Sequence, residues 1–214
     1  MDIGLNHLHK LPLAGKPSAV IAFPLQDAPE ALHRAVIDAT LASLKTASLF
    51  NWHYVHDNIT LEQVKSSIDE MNEKFKEKGI QIEILREEET WALIYVYRVK
   101  KLEEDLKKNE VSKFLRENGY KETCVNYAIS LLKKRLMDLK AFPHEIGVFL
   151  GYPIEDVIGF INNKGCNFKC CGYWKVYGDK EKAIKEFARY DKCRMIYTKL
   201  WNQGRSILKL TVAA

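Results

Sequence analysis

This 214-residue sequence predicts an α+β fold, with a small, mainly antiparallel sheet of about four strands packed with amphipathic helices. Three observations point there. IQIEILR (residues 80–86) alternates apolar and polar, and after EEE the stretch TWALIYVYR is apolar on both faces, the pattern of a hairpin whose second strand is central in its sheet. Several segments carry apolar residues at spacings of three and four, the stripe of an amphipathic helix. The order helix, strand, helix, hairpin, several helices, strand, helix lacks the regular alternation of a doubly wound parallel sheet.

The elements follow in chain order. Residues 1–27, with Pro12, Pro17 and Pro24, show no sustained period and read as an extended arm. Residues 28–210 then form one α+β domain. Residues 28–45 look helical, and ASLFNW (47–52) reads as a short strand. Thr60 and Gln63 form a capping box, because a threonine oxygen can accept from the third amide while the glutamine reaches back. The helix they open carries Leu61, Val64, Ile68, Met71 and Phe75 on one stripe and stops at Gly79. After the hairpin, residues 102–118 give one or two charged helices, and Val125, Ile129, Leu132, Leu136 and Leu139 mark another. HEIGVFLGYPIEDVIGFI (144–161) has the rhythm of two short helices joined at Gly151, a helix-turn-helix-like hairpin over 144–162. YWKVY (173–177) reads as a strand, and Asp179 caps a long helix reaching Asn202.

Composition narrows the function. With 47% hydrophobic and 29% charged residues, the chain is neither disordered nor membrane-like, and no window approaches the ~18 apolar residues of a spanning helix. A cytoplasmic location is expected. Five cysteines, an odd number in a chain this long, fit free thiols in a reducing compartment. Residues 164–209 hold twelve basic and four acidic side chains, a net +8, so the C-terminal quarter is the basic part of a chain whose overall charge is +5. There is no Gly-x4-Gly-Lys-Ser/Thr loop, no Gly-x-Gly-x-x-Gly turn and no Gly-x-Ser-x-Gly elbow.

Three constellations carry chemistry. In 144–162, Gly147, Leu150, Gly151, Val157 and Phe160 suit a helical hairpin, but the second helix begins Ile154, Glu155, Asp156 where a DNA reader needs basic or amide side chains. That places the segment as scaffold. In NNKGCNFKCCGYWKVYG (162–178), lysines interleave with aromatics, so Tyr173, Trp174, Lys175 and Tyr177 are ligand-binding candidates. Bases stack on exposed rings while lysine meets phosphate. The competing reading buries Trp174 and Val176 on one strand face. The third set is Cys171, Cys193 and His144, soft and borderline donors for a metal, without the paired short spacings of a structural zinc site. Cys193 also falls on the stripe Ala183, Phe187, Tyr190, Cys193, Ile196, Leu200, the place of a buried thiol. His144 and Glu145 are the catalytic candidates as acid and base. No second histidine stands four residues after His144, where Val148 is, so the zinc-protease motif fails.

The stretches FPHEIGVFLGYPIEDVIGFI, CGYWKVYGDKEKA and YDKCR resemble an uncharacterised bacterial family, the domain of unknown function DUF3793. LASLKTASLF and LREEETWALIYVYR resemble its N-terminal half, and the likeness covers residues 31–208. His144, Glu145, Gly151, Tyr152, Pro153, Cys171, Gly172, Tyr173, Trp174, Lys175, Tyr177, Gly178 and Cys193 stand where the family motif has the same residues, whereas Cys124, Cys166 and Cys170 are local additions. Family members often carry a cysteine ahead of the segment matching ATLASLK, where this chain has Ile37 or its neighbours. A metal site that used it would lack a ligand here. The resemblance implies anaerobic bacteria and an association with flavodoxin or iron-related proteins, and it leaves the reaction and any cofactor undefined. The expectation is a binding or accessory protein linked to iron or thiol redox physiology. The alternatives are a nucleic-acid binder using the basic aromatic C-terminal quarter, and an enzyme of unknown reaction using His144 and Glu145.

Overall fold

The computed structural model describes residues 40–138 and 142–213. The N-terminal arm, residues 28–39 of the first helix expectation, and Leu139 lie outside the described residues. The fold is α+β. The described chain divides into two compact units, one of residues 103–189 and one of residues 40–102 with 190–213.

The second of these holds a three-stranded antiparallel sheet. Strands β1 (Ala47–Trp52), β2 (Ile80–Glu87) and β3 (Ala92–Arg98) lie in the order β1-β3-β2. β3 is central, as its two apolar faces predict, and every residue in it is buried. Ahead of β1, residues 40–45 form turns and bends, so the helix expected over 28–45 does not extend into them. Helix α1 (Leu61–Phe75) opens on the expected capping box. The Thr60 amide donates to Gln63 Oε1 at 2.8 Å and the Gln63 amide to Thr60 Oγ1 at 3.2 Å. Its stripe of Val64, Ile68, Met71 and Phe75 packs with Ile80, Ile82, Ile94 and Val96 in one core. Gly79, at φ +67°, ends the following 3-10 turn in the left-handed region that glycine adopts without strain. Asn72 reaches edge strand β2 and pairs with both the amide and the carbonyl of Ile82, at 2.8 and 3.0 Å. That leaves less of the edge open to another chain.

The unit of residues 103–189 is built from short helices. The charged segment after β3 forms two, α2 (Val99–Lys107) and α3 (Asn109–Glu117), with Gly119 at φ +85° just beyond. Then come α4 (Val125–Met137), α5 (Ile146–Phe149) and α6 (Ile154–Asn162). Gly151, at φ +75°, makes the turn between α5 and α6, and Pro153 precedes the first residue of α6. A Cβ at Gly147 would lie 2.8 Å from Val157, so glycine lets the two helices close. The expected strand over 173–177 is only β5 (Lys175–Val176). It pairs antiparallel with β4 (Cys170–Cys171), which periodicity had not revealed. Among the described residues the strands form a three-stranded antiparallel sheet and a separate two-stranded one.

The long helix α7 (Lys180–Asn202) begins where Asp179 Oδ1 accepts from the Lys182 amide at 3.0 Å, and a last turn, α8 (Ile207–Leu210), follows it. The boundary between the units falls within α2 and α7. Beyond Cys193 the inner face of α7 continues through Tyr197 and Trp201, which pack on the sheet-side core, while Ile196 is exposed.

Candidate functional site

The densest chemistry lies in the unit of residues 103–189, where α6 carries a knuckle of residues 163–178. Asp156, in the first turn of α6, is buried, and its carboxylate is filled from the knuckle. Oδ2 accepts from the Trp174 indole at 2.7 Å, and Oδ1 accepts from the amides of Tyr177 and Gly178, each at 2.7 Å. Three donors on one carboxylate fix the knuckle to the helix, because charge-assisted bonds are short and strong. Trp174 stacks on Tyr152 at 5.0 Å and meets Phe187 edge-on at 4.6 Å, while the Tyr152 hydroxyl donates to the Tyr173 carbonyl. Glycines permit the fit. A Cβ at Gly159 would sit 2.5 Å from Tyr177, and one at Gly172 would collide with Phe187.

This packing assigns the aromatic candidates. Trp174 and Val176 are buried, while Tyr173, Lys175 and Tyr177 are half-buried. Lys175 donates to the Gly165 carbonyl at 2.8 Å and lies over the rings of Phe160 and Phe168. The Tyr177 hydroxyl is buried without a hydrogen-bond partner, and burial pushes its pKa up, with Cys166, Asp156 and Cys171 adding to the rise.

Cys166 and Cys171 are exposed on the knuckle and Cys170 is half-buried. Burial raises the Cys171 thiol pKa; Lys175 opposes that and Cys170 adds to it. Cys124, also exposed, stands apart at the start of α4, and Cys193 is buried in the other unit. Of the metal candidates, His144 and Cys171 thus share a unit and Cys193 belongs to the second. Among the described residues no group of three or more His, Cys, Asp or Glu side chains is arranged to hold a metal ion.

His144 is exposed just before α5, its ring edge-on to Phe160 at 5.2 Å. Its neighbour Glu145 is 5% exposed, and its Oε1 takes two hydrogen bonds. Arg135 donates to Oε1 at 2.5 Å and the Tyr120 hydroxyl donates to the same oxygen at 3.2 Å. Arg135 also donates to the Asn118 carbonyl and lies 4.8 Å over the Tyr120 ring. Burial and then Glu145 hold the Tyr120 phenol pKa well above its usual value, with Arg135 opposing. This cluster ties α4, the turn after α3 and the start of α5 together.

An open cleft of about 540 Å³ lies in the same unit, lined by the first turn of α3, the turn before α6, Asp105 and Lys182. Its walls mix lysines with carboxylates, and Lys108 is paired to Asp105 at 2.6 Å.

Sequence reasoning missed Asp156, Tyr120 and Arg135. Their partners lie ten or more residues away and include backbone groups, which leave no residue-type signal in the chain. No described helix is long and apolar enough to cross a membrane. No curated protein and no solved structure matches the chain. The family model described as a protein of unknown function, DUF3793, matches residues 35–211, as the motifs around the knuckle and the α5–α6 hairpin had indicated, and the chain belongs to that family.

Proposed function

We propose that this chain is an accessory binding protein in thiol redox physiology, and that it engages its partner through the knuckle of residues 163–178. One observation carries the reading: three of the five cysteines, Cys166, Cys170 and Cys171, lie on a single short element that Asp156 and the Trp174 packing hold in place. The chemistry is thiol–disulfide exchange. A knuckle thiolate attacks a partner's disulfide and forms a mixed disulfide. A second knuckle thiol then displaces the remaining partner sulfur. The partner leaves as its dithiol, taking two protons, and the knuckle keeps the disulfide. The raised pKa of Cys171 makes it a slower attacking thiol at neutral pH, because the thiolate is the attacking species. Oxidised glutathione serves as the disulfide probe. Replacing Cys166, Cys170 and Cys171 together by serine should abolish most exchange with the circular dichroism unchanged. Exchange that survives in that variant rejects the reading.

The nucleic-acid alternative rests on Lys180, Lys182 and Lys185, exposed on the first turns of α7. It predicts affinity for single strands that falls steeply with salt, since counterion release drives such binding. Absence of binding at low salt rejects it.

A further inference from the structure

The three thiols of the knuckle do not share one face. β4 and β5 pair Cys170 with Val176 and Cys171 with Lys175. Residues directly opposite in an antiparallel pair stand on one face with their Cβ atoms ~5 Å apart, and successive residues alternate faces. Cys170 therefore lies on the side of the buried Val176, and Cys171 on the side of Lys175. The Lys175 ammonium donates to the Gly165 carbonyl at 2.8 Å, which brings the residue before Cys166 to the Cys171 side. Burial, then Cys166, Asp156 and Cys171, raise the pKa of the Tyr177 phenol, so both thiols bear on that one ring.

The neighbours Cys170 and Cys171 are a poor pair. Their Cα atoms are ~3.8 Å apart, short of the ~4.4–6.8 Å a disulfide usually spans, and extended backbone sends their side chains to opposite faces. We propose that the disulfide the knuckle keeps joins Cys166 to Cys171 beside Lys175, with Cys170 outside the closing step; this rests on the thiol-exchange reading above. The exposed Cys166 loses its proton, and its thiolate attacks one sulfur of oxidised glutathione, forming a mixed disulfide and releasing one glutathione. Cys171 then loses its proton, and its thiolate displaces the second glutathione from the Cys166 sulfur. The two protons leave with the two glutathione thiols, and the chain gives up two electrons. The Lys175 ammonium favours the Cys171 thiolate, which burial opposes. Glutathione taken by Cys170 stays there as a mixed disulfide, because neither other knuckle thiol shares its face.

The test is non-reducing mass spectrometry of the full chain after reaction with oxidised glutathione and digestion with trypsin. Cleavage after Lys169 separates Cys166 from Cys170 and Cys171, so a bridge from Cys166 appears as two linked peptides. The wild type should give the linked peptides, and Cys170→Ser should keep them. Cys171→Ser should lose them and stop at glutathione on Cys166. If one variant does not fold, the wild type and the other decide. Linked peptides that vanish in Cys170→Ser or persist in Cys171→Ser overturn the assignment, as do unlinked peptides whose Cys170 and Cys171 are joined to each other. Each of these leaves the exchange reading standing. A wild type that gains neither glutathione nor a disulfide overturns both.

Discussion

Glu145 shows how one buried carboxylate can hold three segments. It is the common acceptor for Arg135 and Tyr120, so Glu145→Gln leaves a cation and a phenol around a neutral amide. The expected loss is about 2–3 kcal/mol in chemical denaturation, less than for a fully buried pair because the Arg135 side chain stays a third exposed. The phenol sets a pH dependence. Its pKa is higher folded than unfolded, so the folded state holds that proton more tightly. The stabilisation is complete below the unfolded value near ~10 and is lost as pH rises through the folded value. Tyr120→Phe should show a shallower alkaline loss of Tm than the wild type, and equal slopes would contradict this. At the knuckle, burial raises the Cys171 pKa, so its alkylation rate should keep climbing with pH beyond the ordinary thiol range of ~8.5. A plateau below that range would refute the assignment.

The hairpin, the capping box, the α5–α6 turn and the Asp179 cap are all legible in the sequence, because each depends on residues a few positions apart. Thr60→Ala should accordingly cost about 1 kcal/mol of stability, read from the denaturation midpoint. β4 was not legible, since two cysteines between turns carry no period, and it exists only through its pairing with β5. The role of Asp156 was hidden for a related reason. At the first turn of a helix a carboxylate reads as a favourable dipole partner, yet this one serves an indole and two amides 18 to 22 residues on. Asp156→Asn turns an acceptor face partly into a donor facing donors. It should lower stability by about 2–4 kcal/mol and shift Trp174 fluorescence to the red as the knuckle loosens. An unshifted spectrum would show that aromatic packing alone holds the element.

For the molecule as a whole, the five cysteines fall into three settings: the knuckle, the start of α4 and the buried face of α7. If exposure alone governed exchange, Cys124 would react like Cys166 and Cys171. If the knuckle is the working element, it would not. The direct measurement is to incubate the reduced full chain anaerobically with oxidised glutathione and map by mass spectrometry which cysteines carry glutathione or a new disulfide. The account predicts modification at Cys166, Cys170 and Cys171 well ahead of Cys124, with Cys193 unmodified until unfolding. Modification of Cys124 with the three knuckle thiols left reduced would contradict it.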